Sequence, residues 1–210
     1  MTPSNAIFSR LAVALAAVLG LFMTAMAPEP EPVPRRWQFD LKTGPLRVAT
    51  VEVPEVGRRS YFYMTYKVTN NTGQDLLLAP AFDLAADSGE VIRSGRDVPA
   101  DVTRQVLSEL QSPFIQDQIG VLGILLQGEE NAREGVVIWP ANSLDSGEIV
   151  VYAGGFSGET RAIEVADPKT GKPTKATLRK TLMQRYLLPG ELRKRDSTPL
   201  EPYEVRWVLR

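Results

Sequence analysis

Two-residue alternation of apolar and polar side chains runs through most of this 210-residue chain and predicts a mainly β protein, an antiparallel sandwich. Gly and Pro number 16 each, enough to punctuate many short strands with turns. The strand–helix–strand rhythm that builds parallel sheets does not occur, and nine or ten strands are expected after residue 36.

The strands follow in order. Trp37, Phe39 and Leu41 alternate with polar residues, Gly44-Pro45 turns the chain, and "LRVATVEV" (46–53) is β-branched and apolar. In "YFYMTYKVTNNTGQDLLLAP" (61–80), Phe62, Met64, Tyr66 and Val68 fall on a core face. Tyr61, Tyr63, Thr65 and Lys67 fall on the other face, where Tyr61 and Tyr63 are either half-covered packing or a contact surface. "NNTGQD" closes that strand, and 76–92 reads as a hairpin turned at Asp87-Ser88-Gly89.

Residues 97–134 break the pattern and are expected as a helical insertion. Val102, Val106 and Leu110 recur every four residues beside Leu107, with Asp97 or Asp101 as the cap and Pro113 as the stop. The apolar run 119–126 suggests a second short helix. Strand pattern resumes at 135–140 and 147–155. A long hairpin over about 161–188 has its tip at 167–171, and "PYEVRWVLR" closes the chain.

Ahead of this domain (37–210) stands an uncharged apolar stretch, Leu11 to Ala27, ending in the small-x-small sequence Ala25-Met26-Ala27. It reads as a signal peptide over 1–27, or as an N-terminal anchor helix if Pro28 blocks cleavage. "PEPEPVPRR" (28–36) is a stiff extended spacer. Either reading puts the body outside the cytoplasm, periplasmic or secreted, with membrane contact only through 11–27.

Composition narrows the chemistry. At 43% hydrophobic and 23% charged the chain is globular, and it contains neither Cys nor His. Disulfides, thiol nucleophiles, thiolate metal sites and His-based catalysis are thereby excluded. Charge is segregated: residues 28–160 carry 11 Lys+Arg against 19 Asp+Glu, whereas residues 161–210 carry 12 against 6. Lys169, Lys172, Lys175, Arg179 and Lys180 make the late hairpin basic. That suits an acidic partner, or a sheet edge armed against aggregation.

Three motifs fail on inspection. "GGFSGE" (154–159) lacks the second glycine of a nucleophile elbow and any histidine to serve it. "KTGKPT" (169–174) has Pro173 where a phosphate loop needs Ser or Thr. Both "DSGE" segments are turns rather than calcium loops. In "GEENAREG" (128–135), Glu129, Glu130 and Asn131 are candidates for a cation site, and a solvated loop is the plain alternative.

The segments "YFYMTYKVTNNTGQDL", "FDLAADSGEVI", "REGVVIWPA" and "LDSGEIVVYAGG", covering about 60–155, resemble the small immunoglobulin-like modules of exported bacterial proteins. The body as a whole resembles a group of secreted bacterial proteins with no assigned function. The helical insertion and the long final hairpin depart from that pattern. The resemblance implies an immunoglobulin-like sandwich used for binding or structure, and it transfers no functional residue. The expected role is non-enzymatic: protein–protein contact in the cell envelope, with no cofactor and no nucleic acid, the partner being another envelope protein or a second copy joined at a sheet edge. A carboxylate-based carbohydrate-active enzyme, a carbohydrate-binding module and a calcium-stabilised surface module are the alternatives.

Overall fold

The computed structural model describes residues 37–54, 56–141, 147–167, 169–188 and 198–210. The proposed signal or anchor segment, the spacer and the second "DSGE" turn fall wholly or partly outside them. Among the described residues no helix is long and apolar enough to cross a membrane.

The fold is mainly β. Thirteen strands and one helix are described: β1 (Asp40–Thr43), β2 (Arg47–Val53), β3 (Gly57–Asn70), β4 (Leu76–Leu78), β5 (Ala81–Ala86), β6 (Val91–Arg93), α1 (Ala100–Leu110), β7 (Ile115–Gln116), β8 (Gly123–Leu125), β9 (Gly128–Pro140), β10 (Glu148–Gly154), β11 (Thr160–Ala166), β12 (Pro173–Leu187) and β13 (Glu204–Leu209). The first sheet runs β1–β3–β9–β7, with β2 also on β3. The second runs β11–β12–β10–β5–β6, with β13 on β12, and β4–β8 forms a separate two-stranded ladder.

The sheets share one core. Phe62, Met64, Val137 and Trp139 from the first, with Phe39 just ahead of β1, meet Phe82, Leu84, Ile149, Val151 and Tyr186 from the second. Each such side chain contributes about 1.5–3 kcal/mol by leaving water. The Tyr66 ring sits 4.9 Å from Phe82 and 5.9 Å from Phe156, and the Tyr186 hydroxyl reaches Met64 Sδ at 3.7 Å.

Five expectations need correction. Pairing is not wholly antiparallel, because β7 joins β9 in parallel at Ile115–Glu134 and Gln116–Gly135. The 97–134 block holds one helix, not two: 123–125 is strand β8, and 128–134 begins β9 and pairs with β3. A buried apolar strand and a buried helix segment share one composition, and length alone separated them badly here. Neither Asp97 nor Asp101 caps α1. Pro99 stands at the N-cap without a side-chain cap bond, and Gln111, at φ 50°, ends the helix before Pro113. Leu76–Leu78 does not join the 81–93 hairpin but pairs with β8.

The fifth correction concerns Tyr61 and Tyr63, which are not a contact surface. Helix α1 lays Val102 and Val106 across the outer side of the first sheet and closes a second core with Ala49, Val51, Val53, Tyr61, Tyr63, Val136 and Ile138. Strand β3 is therefore covered on both sides, by the opposing sheet and by the helix.

Candidate interaction site on a basic arm

β12 is longer than the sheet that carries it. Its second half lies between β10 and β13, with ladders from Leu182 to Leu187 and from Lys180 to Arg185. Its first half pairs only with β11, from Ala166–Pro173 to Thr160–Arg179, and no other described strand flanks it. Residues 160–179 thus leave the sheet as a two-stranded arm.

The loop 154–159 determines where the arm begins. Within "GGFSGE" the chain leaves β10, drives Phe156 fully into the core and re-enters the ladder as β11. Gly155 is obligatory there. It has φ +85°, and a Cβ would lie 2.1 Å from the Ala79 carbonyl oxygen. The Ser157 hydroxyl donates to Trp37 O at 3.1 Å, so this serine has a packing role and not a nucleophilic one.

Strand alternation sorts the arm into two faces. Arg161, Ile163, Val165, Thr174, Ala176 and Leu178 share the face that, further along β12, carries Leu182 and Tyr186 into the core. The arm therefore extends the apolar inner side of the second sheet past its last neighbouring described strand, with Val165 37% exposed and Ile163, Ala176 and Leu178 half-buried. The opposite face carries Lys175 beside Glu164, then Arg179.

At the tip, the Asp167 carboxylate accepts the backbone N–H groups of Lys169 at 2.8 Å and Thr170 at 2.9 Å. Those bonds hold its pKa below the ordinary aspartate value. Gly171, at φ +68°, completes the turn.

The five basic candidates divide by position. Lys169, Lys172, Lys175 and Arg179 are exposed. Lys180 is committed to structure: its ammonium lies 3.1 Å from Glu159 and 5.6 Å from the centroid of the Trp207 ring. Arg179 lines a hollow of 420 Å³ with Arg93, Arg210, Asp83 and Tyr152. There Asp83 accepts from Arg93 at 2.8 Å and Arg210 at 3.1 Å. Sequence reasoning missed Arg93 and Arg210, because their nearness to Arg179 comes from sheet order alone.

Glu129, Glu130 and Asn131 do not converge. They are consecutive in the part of β9 where the register with β3 shifts between Val68–Arg133 and Asn70–Gly128, and each has its own surroundings. Glu129 lies 3.7 Å from the Lys67 ammonium, and Asn131 donates to the Gln127 carbonyl at 2.5 Å. Among the described residues no cluster of three or more acidic side chains could hold a metal ion. Arg133 pairs with no carboxylate in this cluster; it donates to the carbonyls of Val121 at 2.8 Å and Ile124 at 2.7 Å. Asn70, which opens the glycosylation-type sequence Asn70-Asn71-Thr72, is fully buried. Its amide nitrogen donates to Gln74 O at 2.9 Å and Leu125 O at 2.8 Å. It is a joint between loops, closed to modification.

Compared with known proteins, the chain matches no family model, no curated protein and no solved structure.

Proposed function

We propose that this chain is a non-enzymatic, extracytoplasmic domain of immunoglobulin-like type that contacts another protein through its β11–β12 arm. One observation carries the reading: the arm leaves the sheet with an apolar face only half-buried and an exposed basic tip at Lys169, Lys172 and Lys175. A two-stranded ribbon is at best marginally stable alone in water, and one of these proportions gains most when its apolar side is docked. The apolar stretch 11–27 and the spacer 28–36 support a position in the cell envelope.

The test uses the whole chain as bait against envelope fractions, beside a K169E/K172E/K175E variant. The bait is expected to recover a partner that the variant loses. Equal recovery by both removes the arm from recognition.

A further inference from the structure

The β4–β8 ladder carries an apolar surface that the rest of the fold leaves open. Leu77 and Ile124 stand directly opposite one another in that ladder. Their neighbours Leu78 and Leu125 turn inward and are fully buried, whereas Leu77 and Ile124 are 61% and 53% exposed. Leu122 and Leu126, on either side of β8, are each about half in water, at 48% and 49%. Leu77 and Ile124 on the ladder, with Leu122 and Leu126 flanking β8 in the chain, make an exposed aliphatic surface of the kind that marks an interface.

The patch is held firmly. Arg133 grips the carbonyls of Val121 and Ile124, and Asn70 grips that of Leu125. The chain on either side of the patch is acidic: Asp75 precedes β4, and Asp117, Glu129, Glu130 and Glu134 lie within 117–134, where Arg133 is the one cation and Lys67 pairs with Glu129 from β3. The arm has the opposite character. Residues 160–180 hold six Lys and Arg against two acids, around an apolar strip of Ile163, Val165, Ala176 and Leu178.

We propose that the arm of one copy docks on the β4–β8 patch of a second copy, its basic tip meeting the acidic rim. This rests on the reading of the arm as a contact element and names its partner. Each chain presents both halves of the contact and the halves differ, so the interface is head-to-tail and continues from copy to copy unless it closes into a ring. The acidic rim also disfavours an anionic lipid surface as the occupant, because like charges would face each other.

The test is made on the whole chain by light scattering across a concentration series. The average mass is expected to rise with concentration. Association is expected to weaken roughly tenfold between about 0.05 M and about 0.5 M salt, as screening of exposed charges requires. Two variants with native circular dichroism then decide the geometry: K172E/K175E on the arm and L77S/I124S on the patch, all at exposed positions. Each alone should remain monomeric. Mixed in equal amounts they should form a complex that stops at two chains, one arm in one patch.

A wild-type chain that stays monomeric overturns the proposal, as does association by either variant alone or a mixture that stays monomeric. Sedimentation of the wild-type chain with neutral or anionic vesicles in place of self-association also overturns it. If the arm still retrieves an envelope protein while the chain is monomeric, the self-docking fails and the proposed function stands. Loss of both sinks both.

Discussion

The Tyr66 ring occupies the space where a side chain at Gly135 would begin: the two are cross-strand partners, and a Cβ at 135 would lie 2.5 Å from Tyr66 Cζ. The ring cannot yield, because Phe82 and Phe156 hold its other sides. Gly135→Ala is therefore expected to cost about 1–3 kcal/mol through overpacking. Urea denaturation measures it, and an unchanged midpoint would show that the aromatic cluster has slack.

A second prediction concerns the root of the arm. Lys180 and Glu159 are about a quarter exposed, 26% and 22% by side chain, so their ion pair is only partly screened. Lys180→Met and Glu159→Gln, combined in a double-mutant cycle, should give a coupling of about 0.5–1 kcal/mol. The same substitutions should speed amide exchange along β11 more than along β10. A coupling indistinguishable from zero would mean that the β12 backbone ladder alone fixes the arm.

Much of the fold was legible in the sequence because burial here follows alternation. Phe62, Met64, Tyr66 and Val68 line the core as their period of two required. Val102 and Val106 sit at helical spacing and are the helix's two fully buried residues. What stayed hidden was long-range. Nothing local tells that the helix covers Tyr61 and Tyr63, that 128–134 lengthens β9, or that Leu76–Leu78 seeks β8 across more than forty residues. The basic hairpin could be read from composition. Its half-buried apolar face could not, since Ile163 and Leu178 look like any inward strand residues until β11 is seen to be the one described strand beside that half of β12.

A third prediction follows from the turn at the arm's tip. The backbone N–H groups of Thr170 and Lys169 lower the Asp167 pKa in the folded turn. A carboxylate whose pKa is depressed by folding adds stability in full above its unfolded pKa, and that share is lost as pH falls through the folded value. The turn should thus stay closed at neutral pH and loosen only in acid below the ordinary carboxylate range. A carbon-detected titration of Asp167 should place its midpoint under the unperturbed 3.8. Asp167→Ala should loosen the tip at every pH. A midpoint at or above the ordinary value would mean that those N–H bonds are not made in solution.

The tyrosines supply the opposite sign. Burial raises the pKa of Tyr61 against the pull of Arg59. Burial likewise raises Tyr63, opposed by Arg47 and aided by Glu109. Tyr66 and Tyr186, in the main core, are raised by burial further still. A folded pKa above the unfolded value gives stability that is complete below pH 10 or so and is lost as pH climbs toward the folded pKa, so the protein should fail on the alkaline side as these phenols ionise. The helix separates the two pairs. Val106→Ala removes about 2 kcal/mol of packing from the second core only. It should lower the ionisation midpoints of Tyr61 and Tyr63 while leaving Tyr66 and Tyr186 in place, as read from phenolate absorbance with single Tyr→Phe controls. If all four shift together, the two cores melt as one unit and the helix is no independent cover. If none shifts, strand pairing shields Tyr61 and Tyr63 without it.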